Sequence, residues 1–237
     1  SFVVFRELKN EKDTSAEYSQ VQDFVMRNIV PMHDWFPTVT KIEKVFNSKL
    51  ELEFEKAKTR SFGDHVALKF HGTSDDGIKG ICSHGFKLPK IAGMYGAGIY
   101  FATDSSKSAQ NIYTKGSHKL LLCNVLLGKA YTVQKDDKSM NGKKLESLKC
   151  DSVFAPRGSA VKNDEFVIFD PAQCLPMYVI HFQTGMNNRA MTPLQNAYAG
   201  KGFVRKNIVP SRNFDPTDIH YGHYKTAEGH FYSQISK

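Results

Sequence analysis

The chain has 237 residues, with 32 Lys and Arg against 24 Asp and Glu, a formal charge of +8, and 41% apolar residues. At roughly 100–200 residues per domain this is one large domain or two small ones, with a core that needs no disulfide staples. The 17 Phe and 10 Tyr exclude a disordered chain, and no apolar run approaches a membrane span of about 20 residues. The run Leu120–Leu127 is only of strand length.

Charges follow Ser1–Phe5 at once, so no signal peptide is visible, and the start on Ser1 reads as a piece of a longer protein. Cys82, Cys123, Cys150 and Cys174 form no Cys-x-x-Cys pair, which argues against a zinc ribbon and for free thiols in a reducing compartment, nuclear or cytoplasmic. The positive balance suits an anionic partner.

In chain order, residues 14–30 read as an amphipathic helix: Thr14 and Glu17 form a capping box, and Tyr18, Val21, Phe24, Val25 and Ile29 share a face. Val39–Val45 alternates as a strand, Leu50–Lys58 is a charged helix, and Val66–Phe70 a short strand. Ser74-Asp75-Asp76 caps a helix that Gly85 stops. Ile99–Ala102 is a strand, and Asp104-Ser105-Ser106 caps a helix running to about Tyr113. Lys119–Leu127 is apolar enough for a strand buried on both faces. Residues 134–150 read as an exposed loop, and Glu165–Phe169 and Tyr178–Phe182 as strands. Helices early and strands late, without regular βαβ alternation, predict an α+β fold.

From Thr184 onward seven Lys/Arg face three Asp/Glu, so this stretch carries half the net charge and little periodicity. The division expected is a catalytic domain at 1–185 and a basic extension at 186–237. The extension mixes cations with Phe203, Phe214, Tyr221 and Tyr224, the ingredients of a nucleic-acid surface, or of a solvated tail whose aromatics pack on the domain. His220, His223 and His230 lack a fourth ligand, so no metal is expected.

The glycines of Gly93-Met94-Tyr95-Gly96-Ala97-Gly98 precede a strand instead of opening a helix, which excludes a dinucleotide fingerprint and leaves a flexible turn. Three separated segments say more together: Phe70-His71-Gly72-Thr73, then Gly96–Ala102 followed by Ser106-Lys107-Ser108, then Asn163–Phe169 running into Pro171-Ala172-Gln173. Over residues 14–183 they resemble the catalytic domain of the poly(ADP-ribose) polymerase family, of the diphtheria-toxin-like ADP-ribosyltransferase class, with strings especially like the tankyrase branch.

The resemblance implies a split antiparallel β core with flanking helices, NAD+ as co-substrate, and transfer of ADP-ribose to protein acceptors, the enzyme itself included, with chain elongation. It implies a His71-Tyr100-Glu165 triad. His71 would bond the adenosine-side ribose, with Thr73 nearby. Tyr100 would stack on the pyridinium ring, and the Gly72 backbone and Ser108 hydroxyl would hold the carboxamide. Glu165 would orient the other ribose and stabilise an oxocarbenium-like transition state, as in glycoside cleavage. Where relatives often carry a second stacking tyrosine this chain has Asn111, and Tyr113 is the candidate two residues on. The loop between Leu88 and Gly96 is short, and activity without DNA is expected, since no helical regulatory segment stands upstream.

Taken singly, each residue also reads plainly: His71 as a strand-end histidine, Tyr100 as a half-buried strand tyrosine, Ser108 as a helix serine. Glu165 would be a strand-start acid beside Lys162, and Lys107 a solvated lysine. A non-catalytic ADP-ribose or nucleic-acid binding module, and a transferase acting on nucleic acid, are the alternative functions.

Overall fold

In the computed structural model, which describes residues 3–9, 14–30, 36–185, 224–225 and 231–232, a helix-flanked sheet organises the chain. Its strands are β1 (Val4–Leu8), β2 (Phe36–Phe46), β3 (Val66–Gly72), β4 (Ile99–Ala102), β5 (Lys119–Leu126), β6 (Ala130–Thr132), β7 (Ser152–Ala155), β8 (Glu165–Ile168) and β9 (Cys174–Gly185). They lie in the order β1-β2-β9-β5-β3-β4-β8-β7-β6. Every pairing is antiparallel except β6 with β7. Tyr224–Lys225 and Phe231–Tyr232 form a separate antiparallel pair. The α+β class stands, and the core is split as expected: β3 meets β4 at one residue pair, Phe70↔Ala102.

β5 shows why the sheet is covered on both faces. Leu120 and Leu122 join Val21, Val25, Phe70 and Ile180 on the side of α1 (Ser15–Arg27). Leu121, Cys123 and Val125 join Ile78, Cys82 and Phe101 on the side of α3 (Asp75–His84). The period-two alternation of a strand thus feeds two cores with one apolar run. Helix α2 (Ser48–Arg60) closes the far end with Phe54 and Ala57 against Leu126. A third core surrounds β7 and β8 with Tyr95, Met140, Leu145 and Val167.

Caps explain several boundaries. Asn47 accepts from the Leu50 N–H at the head of α2, and Ser74 accepts from the Gly77 N–H at the head of α3, which ends at Gly85 with φ +83°. The capping box at residue 14 does not form. The Thr14 hydroxyl accepts from the Lys9 N–H and donates to the Lys9 carbonyl, while Glu17 takes the Tyr178 hydroxyl and the Lys44 ammonium. α1 stops at Arg27, short of residue 30. The helix expected from Asp104 to Tyr113 is two short ones, α4 (Ser105–Ser108) and α5 (Asn111–Thr114), separated where Gln110 is extended at ψ 141°.

Asp104 does not cap α4. The two serines after it bind α1 and the segment that leaves it instead: the Ser105 hydroxyl donates to the Val25 carbonyl, and the Ser106 hydroxyl accepts from the Val30 N–H. Residues 134–150, expected as loop, contain α6 (Gly142–Ser147), capped by Asn141 and tied back by Lys144 to Asp137. The readings of the basic extension as a nucleic-acid surface and of His220, His223 and His230 fall outside the described residues, apart from Tyr224 in its short strand.

Candidate functional site

The seam between β3 and β4 assembles the residues singled out above. Past Phe70↔Ala102 the two strands pair no further, so His71 and Gly72 end β3 beside a stretch of β4 that does not bond them along the ladder. A side-chain link bridges this unpaired stretch: His71 Nδ1–H donates to the Tyr100 carbonyl at 2.9 Å. The imidazole packs edge-on to Phe86 at 4.9 Å and against Phe101 at 5.6 Å. Burial lowers its pKa, with the Tyr100 carbonyl opposing, so the neutral ring is favoured near pH 7. With Nδ1 carrying the proton, Nε2 is an acceptor, suited to a hydroxyl.

Tyr100 is held by its hydroxyl. It accepts from the Tyr95 N–H at 2.8 Å and donates to the Gly96 carbonyl at 2.9 Å. Burial and the Glu165 charge push the phenol up to about 12, against the opposing Tyr95 N–H. The glycine-rich segment is therefore a clamp. Gly93 and Gly96 exchange backbone hydrogen bonds around Met94-Tyr95, and Tyr95 is wholly buried. Gly96 has φ +87°, and a Cβ there would lie 1.9 Å from the Met140 carbonyl oxygen, so only glycine fits this close turn.

Glu165 begins β8 opposite Ala102, and Val167 lies opposite Tyr100. Directly opposed residues share a face, as do residues two apart on one strand, so the side chains of Glu165 and Tyr100 stand on the same face. Gly72 belongs to that face through Phe70. Its α-carbon meets α4 and α5: an added Cβ would lie 2.0 Å from the Ser108 carbonyl oxygen and 3.0 Å from the Tyr113 Cβ.

Glu165 pairs with Lys107, at 3.4 Å, and not with Lys162. The Lys107 ammonium donates to the Tyr113 hydroxyl at 2.6 Å and lies 4.8 Å from that ring's centroid. Burial opposes its charge, yet Tyr113 and Glu165 more than compensate and its pKa is raised. Tyr113 is thus brought to the site despite its displacement along the sequence.

Ser108 is buried on the same side, its hydroxyl donating to the Phe70 carbonyl at 3.2 Å. In this rotamer it offers a ligand lone pairs only. Thr73 turns away: its hydroxyl packs on Gly77 in the first turn of α3, and its carbonyl accepts from Ser117. Gly72, Tyr100, Lys107, Ser108, Tyr113 and Glu165 therefore gather on one face, His71 reaches the seam from the other, and Thr73 stands apart.

Residues whose importance the sequence did not signal support this group. Tyr95 clamps Tyr100 through its backbone. Asp104, fully buried, accepts from Asn163 Nδ2 at 2.9 Å, two residues before Glu165. These partners lie 59 positions apart, and no local pattern marks the pair. Among the described residues no group of three or more His, Cys, Asp or Glu is placed to hold a metal ion. None of the described helices is long and apolar enough to cross a membrane.

The chain matches the poly(ADP-ribose) polymerase catalytic domain over residues 15–184. It is 33% identical over 172 residues to the mouse (Mus musculus) protein mono-ADP-ribosyltransferase PARP4, covering 65% of this chain and 9% of that protein. It is 28% identical over 135 residues to chicken (Gallus gallus) protein mono-ADP-ribosyltransferase PARP3, covering 54% of this chain and 24% of the relative. It is 29% identical over 194 residues to poly [ADP-ribose] polymerase 1 of Arabidopsis thaliana, covering 67% and 19%. The matches therefore span less than a quarter of these relatives. With the family's domain matched over residues 15–184, most of this chain, and folded as a split, helix-flanked antiparallel sheet, the chain belongs to the poly(ADP-ribose) polymerase family.

Proposed function

We propose that the chain cleaves the nicotinamide–ribose bond of NAD+ and transfers ADP-ribose to protein acceptors, itself among them. The observation that carries this reading is the convergence at the seam of a neutral His71, a clamped Tyr100 and the Glu165–Lys107 pair. His71 Nε2 accepts from a hydroxyl of the adenosine-side ribose. The Tyr100 ring, immobilised by its own hydroxyl, stacks on the pyridinium, with Tyr113 available for the other side. Gly72 and Ser108 hold the carboxamide.

The C1′–N bond breaks with its electron pair leaving on nicotinamide. The Glu165 carboxylate offsets the positive charge that grows on the ribose. The acceptor's lone pair forms the new bond to C1′, and its proton passes to Glu165 or solvent. Polarising a ribose hydroxyl of an attached ADP-ribose in the same way would extend a chain. The relatives' names divide between mono-ADP-ribosyltransferases and a polymerase, so elongation is the finer part of the proposal. The four free, buried thiols favour a reducing compartment inside the cell, nuclear or cytoplasmic.

Glu165→Gln tests the reading. Nicotinamide release from NAD+ should fall roughly 100-fold or more while the Kd for NAD+ changes about threefold or less. Labelled polymers should disappear. Retained chain growth in this variant rejects the role given to Glu165.

A further inference from the structure

Glu165 sits at a weak place in the sheet. It forms the last rung of two ladders, with Ala102 of β4 on one side and Ala155 of β7 on the other. Beyond it the chain leaves the sheet, and strand ends fray. Its ion pair with Lys107, at 3.4 Å and partly exposed, is too weakly held to fix a carboxylate by itself.

A second tie lies just beyond that last rung. The Asp104 carboxylate, at the head of the helix that carries Lys107 and Ser108, accepts from the Asn163 amide. Both side chains are buried, at 0% and 3% exposure. A buried carboxylate is costly, and this one is not used as a helix cap although it stands at the capping position.

We propose that Asp104 and Asn163 are positioning residues that hold Glu165 in register with Lys107 and Ser108. This rests on the catalytic reading of Glu165 given above. The bond joins the corner after β4 to the segment entering β8, so the two elements that must meet at the ribose are fastened at their base. Neither residue touches substrate.

The test uses the full chain. Asn163→Ala should lower kcat for nicotinamide release roughly 10–100-fold, with KM for NAD+ changed about threefold or less. It should speed hydrogen exchange at the amides of residues 163–166 while β5 stays protected. The exchanged pair, Asp104→Asn with Asn163→Asp, rebuilds the bond with its polarity reversed and should recover both properties. In a Glu165→Gln background Asn163→Ala should add no further loss.

Wild-type kcat and exchange in Asn163→Ala overturn the proposal. So do an exchanged pair that fails to recover, and an equal loss in the Glu165→Gln background. If Glu165→Gln itself leaves kcat intact, the catalytic reading falls and takes the positioning role with it. A normal Glu165→Gln defect beside a silent Asn163→Ala rejects the positioning pair alone.

Discussion

Tyr100→Phe separates the two tasks of this side chain, because it keeps the ring and removes the clamp. The hydroxyl makes two hydrogen bonds, from the Tyr95 N–H and to the Gly96 carbonyl. The Gly96 carbonyl keeps its bond from the Gly93 N–H, at 3.0 Å. The Tyr95 N–H loses its partner in a segment whose side chain is fully buried. An orphaned buried donor costs about 1–3 kcal/mol and the lost bonds about 1 kcal/mol each, which overlap to a net loss of about 2–3 kcal/mol. For a domain of this size that is a fall in Tm of about 4–12 °C.

The pH dependence gives an internal check. The phenol titrates at about 12 in the fold, against 10.0 for an ordinary tyrosine. A raised acid leaves the unfolded chain ionising first, so wild-type stability falls between pH 10 and about 12. The variant lacks this loss, and its deficit should shrink across that window. Thermal unfolding at pH 7.5 and chemical unfolding from pH 9 to 12 measure both. A variant as stable as wild type at pH 7.5, or a deficit that widens with pH, refutes the reasoning. KM for NAD+ should change about threefold or less, since the stacking ring remains.

Two further outcomes follow from the same geometry. Burial lowers the pKa of His71 from 6.5, so its imidazole resonances should titrate with a midpoint below that value. The unfolded chain then binds the extra proton first, and the His71 contribution to stability is lost as pH falls below 6.5; a midpoint above 6.5 contradicts the buried, neutral assignment. Gly72→Ala places a Cβ 2.0 Å from the Ser108 carbonyl oxygen, so α4 must move off β3. The expected cost is about 1–3 kcal/mol in stability with a rise of tenfold or so in KM for NAD+. Unaltered Tm and KM in Gly72→Ala would show that this contact does not build the carboxamide side of the site.

What could be read from residues alone follows burial. β5 and β8 are apolar because the sheet buries them, and α3 announces itself through Ser74 and Gly85. β1 leaves only Leu8 buried, and Ala130–Thr132 of β6 are all exposed, so these edge strands carry no alternation to detect. α6 was hidden because its stability comes from the Asn141 cap and the Lys144–Asp137 tie within a polar stretch. The residues of the candidate site were legible through three strings of unlike spacing, whereas their supports were not. Thr14, Asp104 and Glu17 look like caps in sequence, but each is claimed by another part of the chain, and such competition is settled only by the tertiary fold.

The strand order also bears on how the protein is made. β9 is the last strand of the large sheet to be synthesised, yet it lies between β2 and β5. Until residues 174–185 leave the ribosome, β2 and β5 present two long open edges, and most of the hydrophobic side chains around them wait for Tyr178, Ile180 and Phe182. Such a topology delays closure until translation of the domain is complete, and it leaves the nascent chain dependent on protection from strand-to-strand aggregation. A stop codon before residue 174 would therefore remove the keystone of the domain while sparing every residue of the seam.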